Sequence, residues 1–402
     1  MLVMSTPNRI YLDNAATSWP KPPEVYEAVD HYQRQWGAPA GRSSYTEAAE
    51  AERGVAAARL AMARLLGVDE PQRIVFTLNG TDSLNLAIHG ILHSGDHVVT
   101  SVIEHNSVLR PLKNLEEAGT IQVTRVDCDV CGRIDPEDVG RAITNRTRLV
   151  VVAHASNVTG AVTPIEQIAP LVQQRGALLL VDAAQTAGHR PIDAHKLGVD
   201  LLAAPGHKGL LGPLGTGILY ISPRAEGLLR SIRQGGTGTN SEEDRQPETL
   251  PHKFESGSLN VPGILGLGAA AAFLRSRSVA AVATHIQELL ALLIGGLGDI
   301  SGVRLHGPPA GHDQAGILSI SIEGYDPHEV ATVLDASHRI QVRSGIHCAP
   351  LMHRRLGTLE HGGTIRLSPG AFTTAADIEA TVAAIAELAT ISNVECAMRS
   401  AE

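Results

Sequence analysis

The sequence predicts an α/β fold: a large domain on a mostly parallel seven-stranded sheet, then a smaller α+β domain. Three observations predict it. Short apolar runs alternate with helix-like stretches over the first two-thirds of the chain, most of these runs are continuous rather than alternating, and the pattern changes after about Gly263. Strands covered on both faces read as unbroken Val/Ile/Leu runs, and strand–helix alternation implies right-handed crossovers in a doubly wound sheet.

In chain order, Pro22-Pro23-Glu24 opens a first helix, because proline suits the first helical turn. Ala48–Leu66, rich in Ala, Arg and Leu, forms a long second helix. The strand candidates are Ile74–Asn79, Val98–Val102, Gln122–Val126, Leu149–Ala153, Leu178–Asp182, Leu201–Ala204 and Gly217–Ile221. Beyond them Ala269–Leu297 reads as helical, Ile317–Ile322, Ile340–Val342 and Thr364–Leu367 as strands, and Ala375–Leu388 as a final helix. Ser241–Pro251 is polar and contains proline, the pattern of an exposed loop. The expected division is residues 12–263 and 264–402, with residues 1–11 packing on the second domain.

Composition narrows the function. The 402 residues carry 33 basic and 42 acidic side chains, a formal charge of −9, which argues against a general nucleic-acid surface. With 43% apolar and only 19% charged residues the chain can bury a substantial core. No apolar run approaches the roughly 20 residues needed to span a bilayer, so no membrane role is expected. The N-terminus lacks the pattern of a signal peptide, and four cysteines in this length are no disulfide framework. A reducing cytoplasm is the expected setting. Aromatics make up only 3%, so a flat ligand here would be stacked by His or Arg.

In an open parallel sheet ligands collect beyond the C-terminal strand ends, and several polar residues fall there. Asn79-Gly80-Thr81-Asp82-Ser83 stands between a strand and a helix, as a phosphate site or simply as a capped helix start. Asp182 ends the Leu178–Val181 run, where a carboxylate needs a cation or a hydrogen-bond donor, or caps a helix. One strand later Lys208 sits among small residues, as an amine nucleophile or a solvated surface group. Cys348 has His347 beside it and Arg343 five residues away, which suits a thiolate nucleophile or a small buried hydrophobe. Arg366 is a lone cation in an apolar strand and needs an anion, either a substrate carboxylate or an internal acid.

Together these segments resemble the class V aminotransferase family, in its cysteine desulfurase branch and the short-loop (group II) form. The motifs are Tyr11-Leu12-Asp13-Asn14-Ala15-Ala16-Thr17, Val181-Asp182-Ala183-Ala184-Gln185, Gly206-His207-Lys208 with Gly212-Pro213, Phe254-Glu255-Ser256-Gly257-Ser258 and Gly345-Ile346-His347-Cys348. The resemblance implies a fold-type-I enzyme dependent on pyridoxal 5'-phosphate. Lys208 is then similar to the Schiff-base lysine, Asp182 to the acid paired with the pyridinium nitrogen, and Gln185 to the donor to the ring hydroxyl. These make the ring an electron sink. His105 resembles the ring-stacking histidine, and Asn157 matches a further cofactor contact. Gly80, Thr81 and His207 would form the phosphate cup, with Ser258 reaching in from the partner subunit of a homodimer. Arg366 resembles the clamp for the substrate α-carboxylate, with Asn14 and Ala15 also at substrate positions. Cys348 resembles the residue that takes sulfur from L-cysteine as a persulfide, releases L-alanine and hands the sulfur to an acceptor.

Three departures mark a divergent subgroup. Pro205 stands where many group II members carry a phosphate-binding hydroxyl, Cys348-Ala349-Pro350-Leu351 shortens the usual Cys-Ala-x-Pro-Leu, and Glu360-His361-Gly362-Gly363 leads into Arg366 unlike the best-known members. Within catalysis the competing readings are a selenocysteine lyase, another C–S lyase on the same cofactor, and a transaminase, which would leave Cys348 without a task. From another class comes a cofactor-free scaffold for sulfur relay. Cys128 and Cys131 have C-x-x-C spacing but lack nearby partners for zinc, and their Asp/Gly surroundings read as a turn. The spacings of His347, His353 and His361 fit no familiar metal site, so no metal is expected.

Overall fold

The computed structural model describes residues 9–41, 43–239 and 242–399. The chain starts with a short strand β1 (Ile10–Tyr11), then α1 (Pro23–His31) and α2 (Thr46–Leu65). Next come β2 (Ile74–Thr77), α3 (Gly80–Ile91), β3 (His97–Ser101), α4 (Asn106–Glu117), β4 (Gln122–Val126) and α5 (Pro136–Ala142). The sheet continues through β5 (Thr147–Ala153), α6 (Ile165–Gln174), β6 (Leu178–Asp182), β7 (Leu201–Pro205), β8 (Gly217–Ile221) and the one-turn α7 (Pro223–Glu226).

Strands β2 to β8 form one seven-stranded sheet in the order β2-β8-β7-β6-β5-β3-β4. Only β8 runs against its neighbours. Every residue of β6, β7 and β8 is buried, as their unbroken apolar runs require. One face packs against α3 and α4 through residues such as Leu84, Ile88, Val108 and Leu112. The other packs against α2, α6 and α8 through Met62, Ile168 and Leu267.

The second part begins with α8 (Val261–Arg277) and α9 (Val279–Gly298), followed by β9 (Val303–His306), β10 (Leu318–Ile322) and α10 (Pro327–His338). It ends with β11 (Ile340–Gln341), β12 (Arg343–Gly345), α11 (Pro350–Leu356), β13 (Thr364–Leu367) and α12 (Ala375–Arg399). The stretch expected to be helical, Ala269–Leu297, spans parts of two helices. Ser278 breaks it, with φ +66°. The two helices have different partners: α8 packs on α1 and α2, α9 on α12 and β9. The change of packing partner thus falls at Ser278, whereas the composition shift near Gly263 marks the start of α8. Helix α9 also corrects the hydropathy reading, because its 20 residues, with mean hydropathy 1.6, are long and apolar enough to cross a membrane. Here Ile286, Leu289, Leu290, Leu293 and Leu297 of α9 are buried.

Strands β9, β10, β12 and β13 form an antiparallel sheet in the order β12-β13-β10-β9. The expected strand Ile340–Val342 divides its neighbourhood between two partners, β11 pairing with β1 and β12 with β13. Leu12 is fully buried in the core of this second unit, whereas residues 1–8 lie outside the described residues. The polar stretch expected to loop out is largely exposed and irregular from residue 242 to 249, and Ser241 lies outside the described residues.

Candidate active site

Sheet register brings the sequence-predicted residues to one edge. Ala153, Asp182 and Ala203 are neighbours across β5, β6 and β7, so these strands end together. Strand β8 places Gly217 between Thr77 of β2 and Pro205 of β7. A Cβ on Gly217 would stand 2.6 Å from the Asn79 backbone, so glycine lets the start of α3 close onto the Lys208 turn. Between them lies a cavity of about 230 Å³. Its wall includes Gly80, Thr81, His105, Asn157, Asp182 and Gln185, and also His207, Lys208, Arg343 and Cys348.

Asp182 closes β6 and is only 6% exposed. Its Oδ1 accepts from the Ala184 N–H at 2.9 Å. Burial raises its pKa, while that hydrogen bond and the nearby Lys208 ammonium pull it down. Burial lowers the Lys208 amine to about 8, Asp182 and Asp13 opposing the shift and Arg366 and Arg343 adding to it. An acid and an amine with opposed pKa perturbations thus share one pocket.

His105 caps α4, its Nδ1 accepting the Ser107 N–H at 3.0 Å. Burial and nearby cations lower its pKa to about 4, so the ring is neutral near pH 7 with its proton on Nε2. His207 is likewise lowered to about 4 by burial, Lys208 and Lys21, and its Nδ1 is buried without a partner. Asn157 donates from Nδ2 to the His347 carbonyl at 2.6 Å, and its Oδ1 is also buried without a partner. Gln185 donates to the Ala15 carbonyl at 3.2 Å.

At the other end of the cavity α3 begins with Gly80. Asn79 caps it by accepting from the Asp82 N–H at 2.9 Å, so the capped helix start and the candidate phosphate site coincide. Pro205 supplies no hydroxyl here. Ser107 does: it lines the same cavity, and its Oγ lies 2.7 Å from Thr81 Oγ1. Sequence reasoning missed Ser107, since nothing local distinguishes a serine at a helix start from an ordinary polar residue. It also passed over Glu104, which is fully buried and accepts from Ser101 Oγ at 2.5 Å and the Ala153 N–H at 3.0 Å. Burial, with Asp182 adding to it, raises Glu104 to about 8, so a neutral acid ties the His105 loop to β5.

The second unit closes the cavity. Cys348 follows His347 on a short turn before α11, with φ values of +51° for His347 and +59° for Cys348. Two consecutive left-handed non-glycine residues are strained, and the turn is held by the Asn106 N–H donating to the Cys348 carbonyl at 2.8 Å. Arg343 Nη2 lies 3.8 Å from Cys348 Sγ. Arg366 stands directly opposite Arg343 across β12 and β13, an arrangement of like charges that calls for an anion. Asp13 supplies one, accepting from Arg366 Nη2 at 3.0 Å, while Nη1 donates to the Asn157 carbonyl at 3.1 Å. Arg366 is 1% exposed with its Nε buried and without a partner, and of the two guanidiniums it is Arg343 that lines the cavity.

Other expected site residues lie apart. Asn14 is spent on backbone, donating to the Ser368 carbonyl at 3.0 Å and accepting from the Trp19 N–H at 3.3 Å. Its neighbour Ala15 touches the site only through Gln185, while Ala16 lines the cavity. Ser258 is exposed and away from the wall of this chain's cavity. Cys128 packs 3.9 Å from Met352 Sδ, and burial pushes its thiol up to about 12, an unreactive state.

The residues present fit pyridoxal phosphate. The buried Asn157 Oδ1 and His207 Nδ1 lack partners that a polar ligand provides, a buried acid and an amine flank the site, and a helix N-terminus offers N–H groups to a phosphate. Comparison with known proteins agrees. The family model for aminotransferase class V matches residues 10–381. A probable cysteine desulfurase of Methanothermobacter thermautotrophicus is 38% identical over 376 residues, 92% of each chain. One from Halalkalibacterium halodurans is 36% identical over 92% of this chain and 91% of its own. The solved apo structure of a cysteine desulfurase from Thermococcus onnurineus superposes with a TM-score of 0.89 at 32% identity, covering 95% of each chain. The chain belongs to the class V aminotransferase family and is a pyridoxal-phosphate-dependent enzyme of fold type I.

Proposed function

We propose that this enzyme is a cysteine desulfurase that converts L-cysteine to L-alanine and carries the sulfur as a persulfide on Cys348. The observation that carries the reading is Cys348 lining the same cavity as Lys208 and Asp182, with Arg343 beside its sulfur. The balance is simple. The Cβ–S bond of the substrate breaks, an S–S bond to Cys348 forms, and the carbon takes up the proton that makes alanine. No external oxidant or reductant is needed.

Lys208, Asp182, Gln185, His105 and Asn157 would hold the cofactor ring, and Gly80, Thr81, Ser107 and His207 its phosphate. When bound, the cofactor supplies an electron sink for the substrate carbon. Lys208, with its amine near 8, is suited to moving a proton at the substrate α-carbon. Asp182 offers a buried negative charge to the cationic end of the ring. The neutral His105 ring offers a flat face without a competing charge. Arg343 receives the substrate carboxylate with Arg366 in support, and its guanidinium stands beside the attacking Cys348 sulfur.

The reading extends to a homodimer, with exposed Ser258 completing the phosphate cup of the partner's site, and to an acceptor that draws sulfur from Cys348. It places the enzyme in the cytoplasm, where free thiols such as Cys128, Cys131 and Cys348 persist.

The test is a set of product assays on purified protein. Wild type with L-cysteine and a thiol should release equimolar alanine and sulfide. Cys348→Ser should keep the visible cofactor band but lose sulfide release by about 10²-fold or more. Undiminished release from that variant sinks the persulfide role. A kcat/KM for selenocysteine far above that for cysteine would reassign the substrate.

A further inference from the structure

We propose that Lys21 is a positioning residue for the Lys208 turn, its ammonium group pinning the carbonyl of His207. The inference rests on the reading of Lys208 as the cofactor-binding lysine. Lys21 lies in the segment leading into α1, more than 180 residues from that turn. Its Nζ donates to the His207 carbonyl at 2.8 Å and to Ser18 Oγ at 2.7 Å. The same carbonyl receives the Ser18 N–H at 3.0 Å and Thr17 Oγ1 at 3.2 Å. Ser18 Oγ, anchored by Lys21, directs its own proton to the Lys208 carbonyl at 2.9 Å.

The carbonyls of His207 and Lys208 belong to the two peptide planes that flank the Lys208 α-carbon. Pinning both planes fixes the direction of the Cα–Cβ bond, and with it the arc through which the amine can reach. Backbone bonds across the turn, Leu211 N–H to the Lys208 carbonyl at 2.8 Å and Gly212 N–H to the Gly206 carbonyl at 2.7 Å, shape it from within. The contacts from residues 17–21 hold it from outside.

Lys21 is placed to hold the turn rather than to balance charge. No carboxylate among the described residues lies within ion-pair distance of it, and its ammonium is met by neutral oxygens. A charge-assisted bond to a carbonyl is stronger than a neutral one, which favours lysine over an uncharged donor there. The side chain also borders a separate, largely apolar cavity of about 630 Å³ lined by Tyr11, Trp19, Val25, Tyr26 and Leu214. Lys21 itself is outside the wall of the catalytic cavity, so its effect passes through the turn.

The variants that test this are Lys21→Met, which keeps the stem and its packing but deletes the donor, and Lys21→Arg, which restores a charged donor. Hydrogen exchange at the Leu211 and Gly212 amides of apo protein should quicken about tenfold in Lys21→Met. Pyridoxal phosphate should leave the Lys21→Met holoenzyme about tenfold faster on dialysis, followed by its visible band. Lys21→Arg should recover most of both. Exchange and retention at wild-type values in Lys21→Met overturn the proposal, as does equal loss in the Arg variant. If Lys21→Met does not fold, Ser18→Ala is measured the same way, and unchanged exchange there overturns it. A wild-type protein that never takes up the cofactor refutes the reading of Lys208, while exchange on the apo protein still judges Lys21.

Discussion

Asp182 ends one strand of the large sheet and Lys208 follows its neighbour, whereas Arg343 and Cys348, with Arg366 opposite Arg343, approach the same cavity from the second unit. The first pair is placed by ladder hydrogen bonds between fully buried strands. The second set depends on a left-handed turn and an ion pair to the N-terminal segment at Asp13. On the sheet side, then, a side chain can be removed with little cost to the fold. On the other side the groups that would meet the substrate also hold the two units together, because Arg366 bonds at once to Asp13 and the Asn157 carbonyl against the repulsion of Arg343.

The largest expected effect tests the sheet side. Lys208→Ala should abolish the visible cofactor band and lower turnover by about 10³-fold or more, with the urea midpoint held or slightly raised because a buried amine has gone. A variant that keeps both band and turnover removes Lys208 from the site.

The contrast between the arginines sharpens the other half. Arg366→Ala strands Asp13 and should cost about 2–3 kcal/mol, less than a fully buried pair because the Asp13 side chain is 22% exposed. Arg343→Ala should cost under about 1 kcal/mol while raising KM for cysteine about tenfold. Urea unfolding read beside steady-state kinetics measures both. Equal stability losses in the two variants would break the comparison.

The smallest effect is in pH. His105, His207 and His353 each have a folded pKa near 4, lowered from 6.5 mainly by burial. Between those values the unfolded chain binds more protons than the folded one, so stability should fall as pH drops from 6.5 to 4. Glu104 runs the other way, since its folded value near 8 exceeds the unfolded 4.5, so the stability tied to its neutral form is lost as pH rises from 4.5 to 8. Glu104→Gln should therefore remove a fall in apo-protein stability between pH 4.5 and 8. Denaturant midpoints across pH follow both, and an acid side without slope contradicts the neutral histidines.

Much of this was legible in the sequence. The seven strand candidates of the large sheet match β2 to β8 to within two residues: the buried strands are marked by unbroken apolar runs, and the edge strand β4, Gln122–Val126, by alternation. Asp182 and Lys208 drew attention as charged residues directly after such runs. Arg366 was legible as a cation in need of an anion, but not the identity of that anion, which sits 353 residues away. The break at Ser278 carries no glycine or proline and follows from the change of partner between α8 and α9.

By itself the sequence determined which residue types end which strands, because periodicity and chain reversal are encoded locally. Only the tertiary structure decided that Arg343 rather than Arg366 lines the cavity, that Ser107 supplies a hydroxyl where Pro205 does not, that Glu104 is neutral, and that Lys21 grips the turn of Lys208. Those outcomes depend on strand order, register and burial between segments far apart in the chain, and no local pattern carries such distances.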